Sequence, residues 1–191
     1  SFAFAVAPLI HRGLPFDYET AFVPIGQAVA LPYVLVTKRD YPARNVAEFI
    51  AAVKAKPGYT YGTPGIGTIG HLAGALLELR AGIKMEHVAY RGGAESARDV
   101  AAGNIDGAIG TANSFAPIIQ NDRARGIALT SGERRGSLAH LPTLAESGFP
   151  GFDLTSWNGL FAPSATPAPV RARLEAALRH ATTDEPTRQR L

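Results

Sequence analysis

Tyr61 to His71 reads YGTPGIGTIGH, and this stretch decides how the chain is organised. Glycines at positions 62, 65, 67 and 70 let the backbone approach another group closely. They stand between a short run, Tyr59 to Gly62, and a segment in which Ile69, Leu72, Ala73, Leu76 and Leu77 recur at helical spacing as far as Gly82. The order is strand, glycine-rich turn, helix. In open α/β sheets such a turn, at the carboxyl end of a strand, is where ligands bind.

Outward from the turn the same alternation continues. Leu31 to Lys38 is a β-branched and apolar run that predicts a buried strand. Asn45 stands three residues before Glu48, as in a capping box, ahead of a helix with Val46, Phe49, Ile50 and Val53 on one face and a stop at Lys56-Pro57-Gly58. Downstream come a strand from Ile83 to Tyr90, a small helix from Ala94 to Ala102, a strand from Ile105 to Ile109, and a helix through Ile119 that Ser114 is placed to cap. Arg125 to Thr130 and Leu154 to Ala162 read as further strands. Pro167 to His180 reads as a helix that turns Val170, Leu174, Ala177 and Leu178 inward. Strands alternating with short helices predict the α/β class, with a mostly parallel sheet flanked by helices.

The 191 residues, 46% hydrophobic and 18% charged, supply enough apolar material for one or two compact domains. The net charge of +3 comes from 19 basic and 16 acidic side chains scattered along the chain, so no nucleic-acid surface is indicated. There is no cysteine, which removes disulfides, thiolate metal sites and thiolate nucleophiles. No apolar run approaches the roughly 20 residues that span a bilayer, so no membrane insertion is expected. The start, Ser1-Phe2-Ala3-Phe4, lacks the basic segment of a signal peptide, and an exported form would carry its signal upstream, removed on maturation. The chain opens inside an apolar segment and stops at Gln189-Arg190-Leu191 without a terminating motif, so it reads as a fragment at both ends.

The chemistry concentrates in three loops. A helix N-terminus presents N–H groups without intrahelical partners at the positive end of the macrodipole, which suits a carboxylate or phosphate. The turn Thr63, Pro64, Gly65, Ile66, Gly67, Thr68 is the first candidate binding loop, with His71 one turn into its helix. A tight turn that uses glycine for left-handed backbone and threonine as a cap is the bland alternative. Tyr90, Arg91 and Gly92 end the next strand, and Arg91 is placed to clamp a distal carboxylate or to solvate the rim. Thr111, Asn113 and Ser114 make a third loop of small polar donors.

Gly65, Gly67 and Gly70 also spell G-x-G-x-x-G, the dinucleotide fingerprint. Pro64 interrupts that turn, and Tyr90 and Arg91 stand where a ribose-binding carboxylate should be. His71, His87, His140 and His180 show no metal-ligand spacing, and Ser96, Ser114 and Ser131 lack a recognisable partner set. No catalytic residue, metal or cofactor is therefore assigned, and the chain reads as a binding protein, not an enzyme.

Six segments together resemble the Bug family, the periplasmic solute receptors of tripartite tricarboxylate transporters. They are LPFDYETAFVPIGQ (14 to 27), YGTPGIGTIGHLAG (61 to 74), HVAYRGG (87 to 93), AAGNIDGAIG (101 to 110), LPTLAESGFPGF (141 to 152) and SWNGLFAPSATP (156 to 167). The resemblance implies a two-lobed periplasmic binding-protein fold of type II whose chain crosses between lobes twice. It divides the chain into a remnant of lobe 1 (1 to 28), a ligand-binding lobe 2 (29 to 138) and a crossing segment that returns to lobe 1 (139 to 191). Part of lobe 1 would precede residue 1 and a C-terminal region would follow residue 191. An incomplete lobe, built on strands over 1 to 10 and 154 to 162, predicts self-association through its uncovered edge.

The resemblance also implies that a ligand carboxylate is held by main-chain N–H groups, hydroxyls and waters from one loop on each lobe, with Thr63 to Thr68 as the second-lobe loop. The membrane subunits of the transporter would be transient partners. Where relatives carry a small serine-alanine pair and an asparagine in the turn, this chain has Thr63, Pro64 and Ile66, a stiffer and more apolar wall. Gly110-Thr111 replaces a position that is often acidic, which turns the expectation away from amino acids and toward a dicarboxylate or aromatic carboxylate. The competing readings are the ligand-sensing domain of a transcription regulator, a dinucleotide-binding enzyme domain and a purely structural module.

Overall fold

The computed structural model describes residues 16, 17 and 20–188, and of Arg188 the backbone only. The strand expected over 1 to 10 lies outside the described residues. The chain divides into two compact units, Leu31–Thr155 on the one hand and Ser1–Ala30 with Ser156–Leu191 on the other. Strand β1 (Phe22–Lys38) contributes its first part to the second of these and its remainder to the first.

Within Leu31–Thr155 the order is β1, α1 (Val46–Ala55), β2 (Tyr59–Thr63), α2 (Ile69–Ala81), β3 (Met85–Ala89), α3 (Gly93–Ala102), β4 (Gly107–Thr111), α4 (Ala112–Gln120) and β5 (Ala124–Leu129). The strands lie in the order β3-β2-β4-β1-β5. β2 pairs in parallel with β3 and with β4, in the registers Tyr61↔His87 and Tyr61↔Gly107. β1 runs antiparallel to both β4 and β5, with Tyr33 opposite Thr111 and Val34 opposite Leu129. The sheet is thus mixed: four strands share one direction and β1 runs against them.

Alternation along β1 supplies both cores. Val34 and Val36 join Ala97, Val100, Phe115, Ala116 and Leu138 in one cluster, against α3 and α4. Over the region of α1 and β2, the Phe49 and Tyr59 rings meet edge to face at 5.1 Å, and both are buried. Each such ring contributes roughly 1.5–3 kcal/mol by leaving water.

Several boundaries differ from expectation. β1 begins at Phe22, nine residues before Leu31, although it contains Pro24 and Pro32. Proline costs a strand only the bond it would donate, and Pro32 falls just before Tyr33, the first residue paired with β4. Ser114 does not cap α4: the helix starts directly at the end of β4, Thr111 is the capping residue, and Ser114 lies inside the first turn. On α2 the buried stripe is Ile69, Gly70, Ala73, Gly74 and Leu77, while Leu72 is exposed, because the two glycines bring the helix down onto the sheet along their own row.

In the other unit β6 (Thr155–Pro163) pairs with β1, followed by α5 (Ala168–Thr183) and the short α6 (Glu185–Arg188). The inward face expected of α5 is not found. None of its residues is buried, Val170 and Ala177 are exposed, and Leu174 and Leu178 are half-covered. Among the described residues this unit offers two strand segments to pack upon, which cover a single row of the helix. Leu178 makes that contact, against Gly26 of β1.

Candidate functional site

β2, β3 and β4 run in parallel, so their carboxyl ends reach one sheet edge, and each is followed there by a loop and a helix. The three candidate loops are therefore neighbours. The Tyr90 N–H donates to the Thr63 carbonyl at 2.9 Å, which ties the end of β3 to the end of β2. A side chain at Gly93, the first residue of α3, would come within 2.8 Å of Ser114 Oγ in the first turn of α4. A side chain at Gly70 would run into the Ile109 carbonyl of β4. At Gly70 the obstacle is strand backbone, so glycine is what lets α2 start this close to β4, while at Gly93 its absence of a side chain leaves room for Ser114.

The turn from Pro64 to Thr68 is held from inside. Gly65 and Gly67 adopt φ of 135° and 74°, which glycine alone takes without strain. Thr63 is fully buried, and its hydroxyl lies 3.3 Å from the Gly65 N–H, 3.2 Å from the Gly65 carbonyl and 2.6 Å from His87 Nε2. Thr68 donates its hydroxyl to the Gly65 carbonyl at 2.7 Å. Both threonines thus spend their hydroxyls on the loop, where sequence reasoning expected donors for a ligand. His71 accepts the Gly67 N–H on Nδ1 at 3.1 Å, and its ring stacks on His87 at 4.3 Å and 26°. Ile66, at the tip, is 78% exposed.

None of the three helix starts carries a side-chain cap: Thr68 before α2, Gly92 before α3 and Thr111 before α4 all lack one. They are not equivalent. Glu95 sits in the first turn of α3 and accepts the Arg91 N–H at 3.2 Å, so a carboxylate already occupies that field. The first turns of α2 and α4 contain no acidic residue. Thr111 and Ser114 exchange a hydroxyl contact at 2.9 Å, Asn113 is exposed, and the Arg91 side chain is exposed at the rim. The Tyr90 hydroxyl donates to Asp99 at 2.7 Å, and burial followed by that carboxylate pushes it up to about 12. The phenol is therefore neutral and committed to α3.

His87 is the residue of this edge that sequence reasoning did not select. Its register opposite Tyr61, two residues before the strand end, is the signal that places it beside β2 and under the turn. Burial lowers its pKa, the neighbouring His71 lowers it further, and Glu78 opposes them. Among the described residues no group of three potential ligands could hold a metal, and no helix is long and apolar enough to cross a membrane.

The family model described as "Tripartite tricarboxylate transporter family receptor" matches residues 1–191. The UPF0065 protein of the tcbD-tcbE intergenic region of Pseudomonas sp. (strain P51) is 38% identical over 170 residues, which cover 88% of this chain and 51% of that protein. The structure of periplasmic binding protein BugD superposes with a TM-score of 0.85 at 29% identity, over 99% of this chain and 64% of BugD. That of R. palustris Rpa4515 with adipate gives 0.83 at 28% identity, over 93% of this chain and 60% of that one. The chain spans about half the length of the curated relatives it matches. The family and these structural neighbours are solute-binding receptors. Matched along its whole length, and sharing their mixed sheet with flanking helices, this chain belongs to the tripartite tricarboxylate transporter receptors, the Bug family.

Proposed function

We propose that the chain forms the ligand-capturing edge of a periplasmic receptor that takes a small dicarboxylate or aromatic carboxylate and delivers it to the membrane subunits of a tripartite tricarboxylate transporter. The observation that carries this reading is the pair of uncapped, acid-free helix starts of α2 and α4 at one sheet edge. A carboxylate there accepts first-turn N–H groups and gains from both macrodipoles. Thr111 and Ser114 add hydroxyls, and Arg91 and Gly92 form the rim. Ile66, apolar and exposed between two glycines, favours a ligand whose body is apolar. No acidic residue stands at Gly110-Thr111 to receive an ammonium group. The adipate bound to the R. palustris neighbour is a ligand of this kind.

A hydrogen bond to a charged group contributes about 1.5–3 kcal/mol, whereas micromolar binding needs about 8 kcal/mol. Two or three such bonds, less the cost of association, leave only millimolar affinity. Tight capture therefore needs further contacts beyond these loops.

The test is a thermal-shift titration of the full-length chain against mono-, di-, tri- and aromatic carboxylates, amino acids and NAD. A native-state binder at a hundredfold excess over Kd stabilises by about 2.7 kcal/mol. A shift with a carboxylate that disappears in Gly67→Val is expected. A shift with NAD alone would overturn the reading.

A further inference from the structure

The two histidines beneath the glycine turn form a unit that ligand capture does not by itself require. Gly67 donates its N–H to His71 Nδ1 at 3.1 Å, so that nitrogen carries no proton and the neutral ring is protonated on Nε2. His87 Nε2 lies 2.6 Å from the Thr63 hydroxyl, which in turn bonds both polar groups of Gly65. One imidazole thus reaches Gly67 directly and the other reaches Gly65 through Thr63. The rings lie face to face at 4.3 Å. Only Ile66 stands between these two anchored glycines, both at positive φ, and the Thr68 hydroxyl on the Gly65 carbonyl secures the Gly65 side alone, so Gly67 depends on His71.

We propose that His71 and His87 are positioning residues: stacked as a neutral pair, they hold the Gly65–Gly67 backbone in one conformation, and protonation of the pair releases it. For its consequence at the ligand this rests on the reading of the edge as a carboxylate site. A proton on His71 Nδ1 would set a donor against the Gly67 donor, and two imidazolium rings stacked at this distance repel. The groups that act on His87 are His71, the Glu78 carboxylate of α2 and the Tyr61 ring of β2, 5.2 Å away. Tyr61, raised by burial to about 12, stays neutral. The Glu78 carboxylate also accepts the Met85 N–H at 2.7 Å. Burial and His71 outweigh Glu78 and lower the His87 pKa. The folded state therefore favours neutral His87, and that contribution is lost as pH falls through the histidine range.

The experiment is amide hydrogen exchange and imidazole 15N NMR on the full-length chain, with adipate binding measured in parallel. His71 should show the Nε2–H tautomer, and the protection factor of Gly67 should fall as the pH drops. His71→Ala should cost about five- to tenfold in that protection, the size of one lost hydrogen bond. His71→Asn, whose Oδ1 replaces Nδ1 as acceptor, should keep the protection and flatten its pH dependence. Adipate affinity should follow the same order. An Nδ1–H tautomer, or a Gly67 protection that survives in His71→Ala, would overturn the proposal. If the alanine chain does not fold, a wild-type pH dependence retained in His71→Asn overturns it equally. Gly67 protection that behaves as expected while adipate binds no variant supports the brace and counts against the ligand reading alone.

Discussion

Replacing Gly70 by alanine separates packing from propensity at the candidate site. The position lies in the first turn of α2, where alanine ordinarily gains about 1 kcal/mol over glycine. Here the new methyl would enter the Ile109 carbonyl oxygen, with the Ile109 carbonyl carbon at 3.3 Å and Thr63 Cβ at 3.4 Å. The obstacle is the backbone of a central strand, so no rotamer change relieves it and α2 must withdraw from β4. Overpacking of this kind costs about 1–3 kcal/mol. Against rigid backbone the upper end applies, which leaves a net loss of about 2 kcal/mol after the propensity gain. In a chain of this length each kcal/mol moves the melting temperature by about 2–4 °C, so a fall of several degrees is expected by calorimetry. Gly92→Ala is the control, since Gly92 is extended at φ −172° and nothing lies within 4 Å of an added methyl. A melting temperature unchanged or raised in Gly70→Ala would refute the reasoning, because propensity alone would then decide.

Two further substitutions test the same edge and its opposite. Thr63→Val keeps the shape and removes the hydroxyl that serves Gly65 and His87, with an expected loss of about 1–3 kcal/mol in urea unfolding. Asp106 receives Lys38 Nζ at 2.8 Å and both the N–H and hydroxyl of Thr60 at 3.1 Å. Burial acts to raise its pKa, but Lys38 and Thr60 together bring it below the ordinary carboxylate value. Its contribution is thus present above the unfolded pKa and lost as pH falls through the folded one, and an acid-unfolding curve of Asp106→Asn should be flatter over that window.

What the sequence made legible was local. The Asn45 and Glu48 spacing announced a cap, and the structure has Asn45 Oδ1 accepting the Glu48 N–H at 2.9 Å. Gly82 announced a helix end, and it takes φ of 59° there. β2 and β3 fell within two residues of expectation because short runs bounded by Gly and Pro have little room to shift. What failed was set by distant partners. Nothing between Phe22 and Ala30 signals a strand until its pairing with β6 is known, and the direction of β1 is a property of topology. The stripe on α2 was misjudged because hydrophobicity ranks Leu72 above Gly70 and Gly74, whereas close approach to Ile109 and Tyr61 favours the glycines. His87 carries no local signal because its partner, His71, lies sixteen residues away on α2 and stacks on it only once that helix packs beside β3.

The two edges of the sheet differ in a way that bears on function. β1 runs against β4, so α1, which follows β1, starts at the edge away from Thr111. There the chain closes its own donors: Asn45 caps the helix, and Glu48 takes the Arg44 N–H at 2.8 Å. At the edge of Thr63, Tyr90 and Thr111 side chains that could cap are diverted. Thr68 turns its hydroxyl back to Gly65, Thr111 meets Ser114, and only α3 has an acidic residue in its first turn. A helix start without a cap forgoes about 1 kcal/mol. Leaving α2 and α4 in that state at one edge, while the same chain caps α1 with a side chain at the other, is what the proposed carboxylate site requires of its donors.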